Sequence, residues 1–328
     1  MYVLNAAAAA LAWLGRQGTR AVAASIFLGL ALPPLAAVFK PYLTEAIFAL
    51  LTLAFLRVDL TALRGIAGRP RLILAGTVWI MLVTPALLGG LFLVLGLPER
   101  APGLLPALML QAAAPPLMAT PAFAALLGLD VALTLVLMVI ALVLTPFTAP
   151  VFADFVLGTS LAISPLALGA RLFALLAGAA AVAAAIRWVA GAERIERQRE
   201  RIDGLNVITL FVFAVALMEG VAARMISSPL LVVGLIALAT GLSFGIGALT
   251  MLVFIPAGRE NALAIGLTAA QRNMGLMLAA TGGAVPDVAW LYFALAQFPI
   301  YLSPQILKPL ATRLTARASE ARPRASRR

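Results

Sequence analysis

The chain has 328 residues, 63% of them hydrophobic and 11% charged, and its 24 basic against 13 acidic residues leave a net charge of +11. Soluble domains are closer to half apolar and a quarter charged, so a mean hydropathy of +1.06 marks a chain whose main solvent is lipid. Cysteine and histidine are absent, which excludes disulfides, thiolate and imidazole metal sites, and every catalytic arrangement built on Cys or His.

The apolar run Val3 to Leu14 has no basic residue ahead of it and carries Arg16 and Arg20 behind it, the reverse of a cleavable signal. Residues 1–20 are therefore expected to be a cytoplasmic or interfacial lead-in. A membrane span needs roughly 20 apolar residues, and charge clusters and Pro/Gly turns divide the remainder into ten such segments. They are Ala21–Phe39, Tyr42–Leu56, Leu72–Leu97, Leu104–Leu127, Val131–Leu157, Leu161–Trp188, Leu205–Ala223, Leu230–Phe254, Ala262–Ala280 and Val288–Leu307. Residues 21–190 hold a first five-span repeat, to about residue 158, and the sixth span; 191–204 form a charged connector, 205–310 carry the last four spans, and 311–328 are a basic tail.

Placing the N-terminus inside puts Arg57, Arg64, Arg69, Arg71, Arg187, the connector arginines, Arg259 and the basic tail at cytoplasmic ends, and leaves Lys40, Arg100, Arg171 and Arg224 outside. That asymmetry orients both termini to the cytoplasm and accounts for the net charge with no nucleic-acid partner. Lys40 and Lys308 are the only lysines and alanine is abundant, a bias that points to a GC-rich bacterial genome and so to an inner-membrane protein.

The halves echo each other. Asp130-Val131-Ala132-Leu133 leads to Leu144-Thr145-Pro146, and Asp287-Val288-Ala289-Trp290 leads to Leu302-Ser303-Pro304. An odd number of spans per half inserts the second copy from the opposite face, the inverted-repeat plan of many secondary transporters. The expected fold is thus all-α, with ten transmembrane helices in two inverted repeats.

Polar chemistry concentrates in the fourth and ninth spans. Pro115, Pro116 and Pro121 remove helix hydrogen bonds at mid-membrane, which predicts a broken helix, or else a kink, that frees carbonyls where lipid cannot satisfy them. Gln271-Arg272-Asn273 sits at the centre of the ninth span, where an arginine costs roughly 3 kcal/mol to insert. Arg272 is either functional or neutralised by Glu219 or by freed carbonyls of the fourth span. Glu219 and Arg171 lie at similar depth and are expected to pair, and Gln297 in the tenth span is a secondary candidate or interhelical glue.

Several motifs in order carry a resemblance: Arg57-Val58-Asp59-Leu60 with Gly68-Arg69-Pro70-Arg71, Val83-Thr84-Pro85-Ala86, the Pro-rich fourth span running into Gly128-Leu129-Asp130, and Gln271-Arg272-Asn273-Met274-Gly275. With these the chain resembles the bile acid:sodium symporter family, organic-anion transporters of the bile/arsenite/riboflavin transporter-like superfamily. The resemblance implies a core of spans three to five and eight to ten, with broken helices four and nine crossing, and a panel of spans one, two, six and seven, with substrate between them. Carried over by position, the family's sodium ligands depart from their pattern: the fourth-span Asn falls on Pro121 and its preceding Ser on Thr120, the third-span Gln on Ile80, the ninth-span Glu on Thr268 and Gln on Arg272, while the following Asn is kept as Asn273. The resemblance therefore supports the fold and puts sodium in doubt as the coupling ion, and no other metal or cofactor is expected.

The expected function is secondary transport of a small organic anion, with Arg272, Asn273, Gln271, Thr120 and Gln297 lining the substrate site, because a guanidinium holds a carboxylate through two parallel hydrogen bonds. An exporter or uniporter on the same fold is the nearest alternative. A non-transporting receptor or membrane-embedded enzyme is the alternative of another class, disfavoured by the lack of paired intramembrane carboxylates or a nucleophile and base. The orientation predicts that reporter tags at both termini and beside Arg197 read cytoplasmic and one beside Gly283 reads external; an external terminus in a tag-accessibility assay refutes it.

Overall fold

The computed structural model describes residues 26–58, 68–158 and 161–320, together with Ala10, Leu11, Trp13 and Ala24; for 310–320 it describes the backbone alone. Most of the expected lead-in, Asp59, Leu60, Arg64 and the end of the basic tail lie outside the described residues. The described chain is 87% helix with no strand. Five helical stretches are long and apolar enough to cross a membrane: Pro33–Arg57, Pro70–Val94, Val131–Leu157, Pro165–Ala190 and Pro229–Ala257. Arg199–Leu217 and Val221–Ser227, bent by 40°, make a sixth when counted as one.

The difference from ten has physical causes. The fourth expected span is two short helices, Leu105–Ala113 and Thr120–Leu127, and the ninth is Arg259–Ala270 and Met274–Thr281, so neither pair offers a continuous apolar length. Where the sequence places a loop after Phe39, a 3-10 turn at Lys40–Tyr42 joins Pro33–Phe39 to Leu43–Arg57, with Pro41 tolerated at its start where no N–H is needed. The last helix, Asp287–Glu320, carries Pro299, Pro304 and Pro309 and runs beyond its expected end at Leu307.

Local chemistry sets the helix ends. Asp130 Oδ1 accepts from the Leu133 N–H at 2.9 Å and Ser164 Oγ from the Ala167 N–H at 3.3 Å, while Pro70, Pro165 and Pro229 open their helices at positions that need no N–H. Thr120–Leu127 and Met274–Thr281, the second halves of the two interrupted helices, both end on a left-handed glycine, Gly128 (φ 68°) and Gly282 (φ 64°), a conformation that a side chain resists.

Burial divides the molecule. Every residue of Leu105–Ala113 is buried, as is every residue of Met274–Thr281 except Gly275. The outer helices instead expose large apolar side chains, among them Phe155 at 77%, Trp188 at 86% and Leu230 at 87%. Faces that apolar would aggregate in water; they are surfaces for lipid. Pro165–Ala190 and Arg199–Leu217 each pack on Pro33–Arg57, Pro165–Ala190 also packs along Val131–Leu157, and the two interrupted helices pack with Pro70–Val94, Val131–Leu157, Pro229–Phe254 and Asp287–Glu320. At one end of the second group Arg69 Nη1 donates to Asp130 Oδ2 at 2.9 Å and to Asn261 Oδ1 at 3.0 Å, pinning the starts of three helices together.

The helix that leads to the site depends on a close approach. A β-carbon on Gly266 would stand 2.9 Å from the Gly247 carbonyl oxygen, so Arg259–Ala270 lies directly against the backbone of Pro229–Phe254. Gly266→Ala is therefore expected to destabilise the detergent-solubilised protein by about 1–3 kcal/mol, read as a lower thermal-unfolding midpoint, whereas Gly241→Ala, which meets nothing within 4 Å, leaves it unchanged.

Candidate functional site

The two interrupted helices meet at their breaks. Leu117 N–H donates to the Gln271 carbonyl at 2.8 Å and Asn273 N–H donates to the Pro115 carbonyl at 2.8 Å, so Pro116 and Arg272 stand opposite each other as one antiparallel bridge. The sequence enforces this. Pro115 and Pro116 have no N–H and favour extended backbone before them, seen at Ala114 (ψ 147°), and the broken backbone, beyond the reach of water, must find its partners within the protein.

Arg272 is 1% exposed. Its Nη1 donates to the Ala114 carbonyl at 2.9 Å and to the Ile80 carbonyl at 3.2 Å. Ala114 follows the C-terminal end of Leu105–Ala113, whose last carbonyls lack helical donors and carry the negative end of the helix dipole. The Ile80 carbonyl is free for a different reason. Residues Trp79–Val83 form a π turn, in which the Thr84 N–H bonds back to Trp79, and the next donor in that register is Pro85, which has none. Two prolines in different helices thus expose the two carbonyls that hold one guanidinium.

Those contacts use only Nη1. Arg272 Nε and Nη2 are buried without a hydrogen-bond partner, and no carboxylate lies within 4.0 Å of the guanidinium among the described residues. Nε–H and Nη2–H lie on the same edge of the planar group, the edge that grips both oxygens of a carboxylate at once. Gln271 Oε1, 1% exposed, is also unpartnered.

The other sequence candidates are placed as follows. Asn273 is at the crossing, but its Oδ1 caps the following helix by accepting from the Leu276 N–H at 3.1 Å. Thr120 is fully buried beside the first break, and its hydroxyl donates to the Leu117 carbonyl at 2.6 Å. Gln297 folds back, donating to the Phe293 carbonyl of its own helix at 3.1 Å, which favours a packing role over a place in the site. Of the positions onto which the resemblance would carry sodium ligands, Ile80 and Arg272 are joined through the Ile80 carbonyl, Thr268 Oγ1 donates to the Ala264 carbonyl at 2.7 Å within its helix, and Pro121 stands in the first turn of Thr120–Leu127.

One expectation is corrected. Glu219 does not pair with Arg171, nor with Arg272; its Oε2 accepts from Lys40 Nζ at 2.9 Å. The 3-10 turn brings Lys40 to the end of Arg199–Leu217, while the Arg171 guanidinium lies over Gly282, Nη1 2.8 Å from where a β-carbon would stand.

Three features escaped the sequence reading. Tyr292 donates its hydroxyl to Gln111 Oε1 in a fully buried pair that ties the last helix to Leu105–Ala113. Trp79 Nε1 donates to Thr250 Oγ1 at 2.8 Å, anchoring the π turn. The Ile80 carbonyl is the third, and Pro85 inside an apolar span was its signal. The crossing is closed to solvent, and a cavity of about 560 Å³ opens elsewhere, lined by Lys40, Glu219, Arg224 and residues that follow Thr281. Compared with models of known protein families and with curated proteins, the chain matches none.

Proposed function

We propose that this protein is a secondary transporter of small organic anions, a ten-span chain of two inverted repeats with both termini in the cytoplasm of a bacterial cell, similar in plan to the bile acid:sodium symporter family. The single observation that carries this reading is the free Nε–Nη2 edge of Arg272, a buried cation with no carboxylate beside it, held at the meeting point of two broken helices. Broken helices at mid-membrane are where such transporters bind their substrates, because freed backbone dipoles and side chains replace the ligand's water there. Supporting it are two sets of helices: Leu43–Arg57 packs on both Pro165–Ala190 and Arg199–Leu217, as in a panel, and the two interrupted helices pack with the second group, as in a core. Met274–Thr281 lies against Pro165–Ala190 and Leu43–Arg57, so relative motion of the two groups is the route by which the Arg272 edge becomes accessible in alternation.

In proteoliposomes, Arg272→Ala is expected to abolish uptake of the transported anion, and Arg272→Lys to reduce it at least tenfold, since an ammonium lacks the planar fork. Uptake at unchanged apparent affinity in Arg272→Ala refutes the assignment.

The same geometry bears on coupling. Arg272 Nη1 already occupies the Ile80 and Ala114 carbonyls, and a sodium ion ~4 Å from the guanidinium would be repelled by about 4 kcal/mol. Uptake is therefore expected to be equal, within about twofold, under a sodium gradient and an equal choline gradient at matched membrane potential; a tenfold dependence on sodium would refute it.

A further inference from the structure

The 560 Å³ cavity is built from three separate pieces of chain: the 3-10 turn at Lys40–Tyr42, residues 219–224 after Arg199–Leu217, and residues 282–291 after the second interrupted helix. Its charged groups are Lys40, Arg224, Glu219 and Asp287, with Arg171 at the edge over Gly282. Two lining cations therefore face two carboxylates, with a third cation nearby. One of those carboxylates, Glu219, is already engaged by Lys40 at 2.9 Å, both side chains remaining partly exposed. Lys40 Nζ also sits 5.0 Å from the ring centroid of Trp290, and Trp290 Nε1 is a buried donor without a partner.

Position adds to this. Gly282 follows Met274–Thr281, and the eight residues of that helix set it ~12 Å along the helix axis from Asn273 at the crossing. The cavity thus opens at the far end of the helix whose start holds the buried arginine. In the orientation given above this is the outer side of the membrane.

We infer that this cavity is an outer binding station for aryl or similarly apolar carboxylates and sulfonates, in which Lys40 and Arg224 take the anionic group and Trp290 takes the apolar body. The anion displaces Glu219 as the counterion of Lys40, so Glu219 tunes affinity by competing for the ammonium. A partly exposed ion pair is weak and yields readily to a ligand that also buries apolar surface on an aromatic face. The cavity's polarity also sets selectivity: a neutral analogue gains the ring contact without the charge, and a cationic one is repelled at the Lys40 and Arg224 positions. The inference builds on the transport reading, and it is tested by binding rather than transport.

The experiment follows tryptophan fluorescence of the purified full-length protein in detergent during titration with benzoate, using Trp290→Phe to isolate the Trp290 signal from Trp13, Trp79 and Trp188. Benzoate is expected to change the signal saturably, and benzyl alcohol and benzylamine are expected to bind at least tenfold more weakly. Lys40→Gln and Arg224→Gln should each raise the apparent Kd at least fivefold, and Glu219→Gln should lower it, a gain that misfolding does not mimic. Arg272→Ala should leave the Kd within twofold, because that residue lies outside the cavity. A wild-type protein with no saturable response, benzyl alcohol binding as tightly as benzoate, or an unchanged Kd in both Lys40→Gln and Arg224→Gln overturns the station. Loss of transport in Arg272→Ala with benzoate binding retained supports two separate sites, and absence of transport by the wild-type protein with benzoate binding retained leaves the station standing and removes the transport reading.

Discussion

The structure depends on an exchange of backbone hydrogen bonds between two helices that each stop in mid-span. Neither break is tolerable alone, since unpaired N–H and C=O groups in lipid cost several kcal/mol each. Together they are satisfied: Leu117 and Asn273 donate across the crossing to Gln271 and Pro115, and the prolines, which have nothing to donate, leave carbonyls rather than orphaned N–H groups. A break made with prolines is in this sense selective. It produces an excess of acceptors, and an excess of acceptors attracts a cation.

Arg272 is that cation, and its position follows from the surplus. The Ala114 carbonyl is surplus because the chain turns extended ahead of two prolines, and the Ile80 carbonyl is surplus because a π turn runs into Pro85. One nitrogen of the guanidinium balances both, which fixes the plane of the group and leaves the Nε–Nη2 edge directed elsewhere. A buried charge held only by dipoles is poorly compensated compared with one facing a carboxylate. Under the proposed function, that incomplete compensation would favour an anion: the charge it neutralised would already be desolvated, so binding would not have to remove water from the arginine.

The packing around this point ties it into its own group of helices. Gly266 against Gly247, Arg69 with Asp130 and Asn261, and Tyr292 with Gln111 tie the interrupted helices to others of the same group. The Lys40 ion pair with Glu219 lies within the first group, while the Lys40 contact with the Trp290 ring reaches the last helix of the second.

Lipid as solvent was determined by the sequence itself, because no soluble fold hides so large an apolar fraction, and so was the place of the first break, because proline cannot donate, whereas a break in the ninth span was implied only by the resemblance. Asp130 as a helix cap and the glycines after Leu127 and Thr281 act within one turn of chain, and local chemistry of that kind survives any tertiary arrangement. Partners were another matter. Glu219 looked suited to Arg171 by depth along two helices, yet the azimuth and tilt of those helices decide contact, and Lys40 on a turn reached it instead. The Ile80 carbonyl could not be read from its side chain at all, since a main-chain acceptor becomes a ligand only when helix register leaves it free and a distant residue, 192 positions along the chain, arrives to use it. Tertiary structure alone decided those pairings, because they depend on how rigid helices are placed in three dimensions, while hydropathy and local capping depend only on residues close together in the chain.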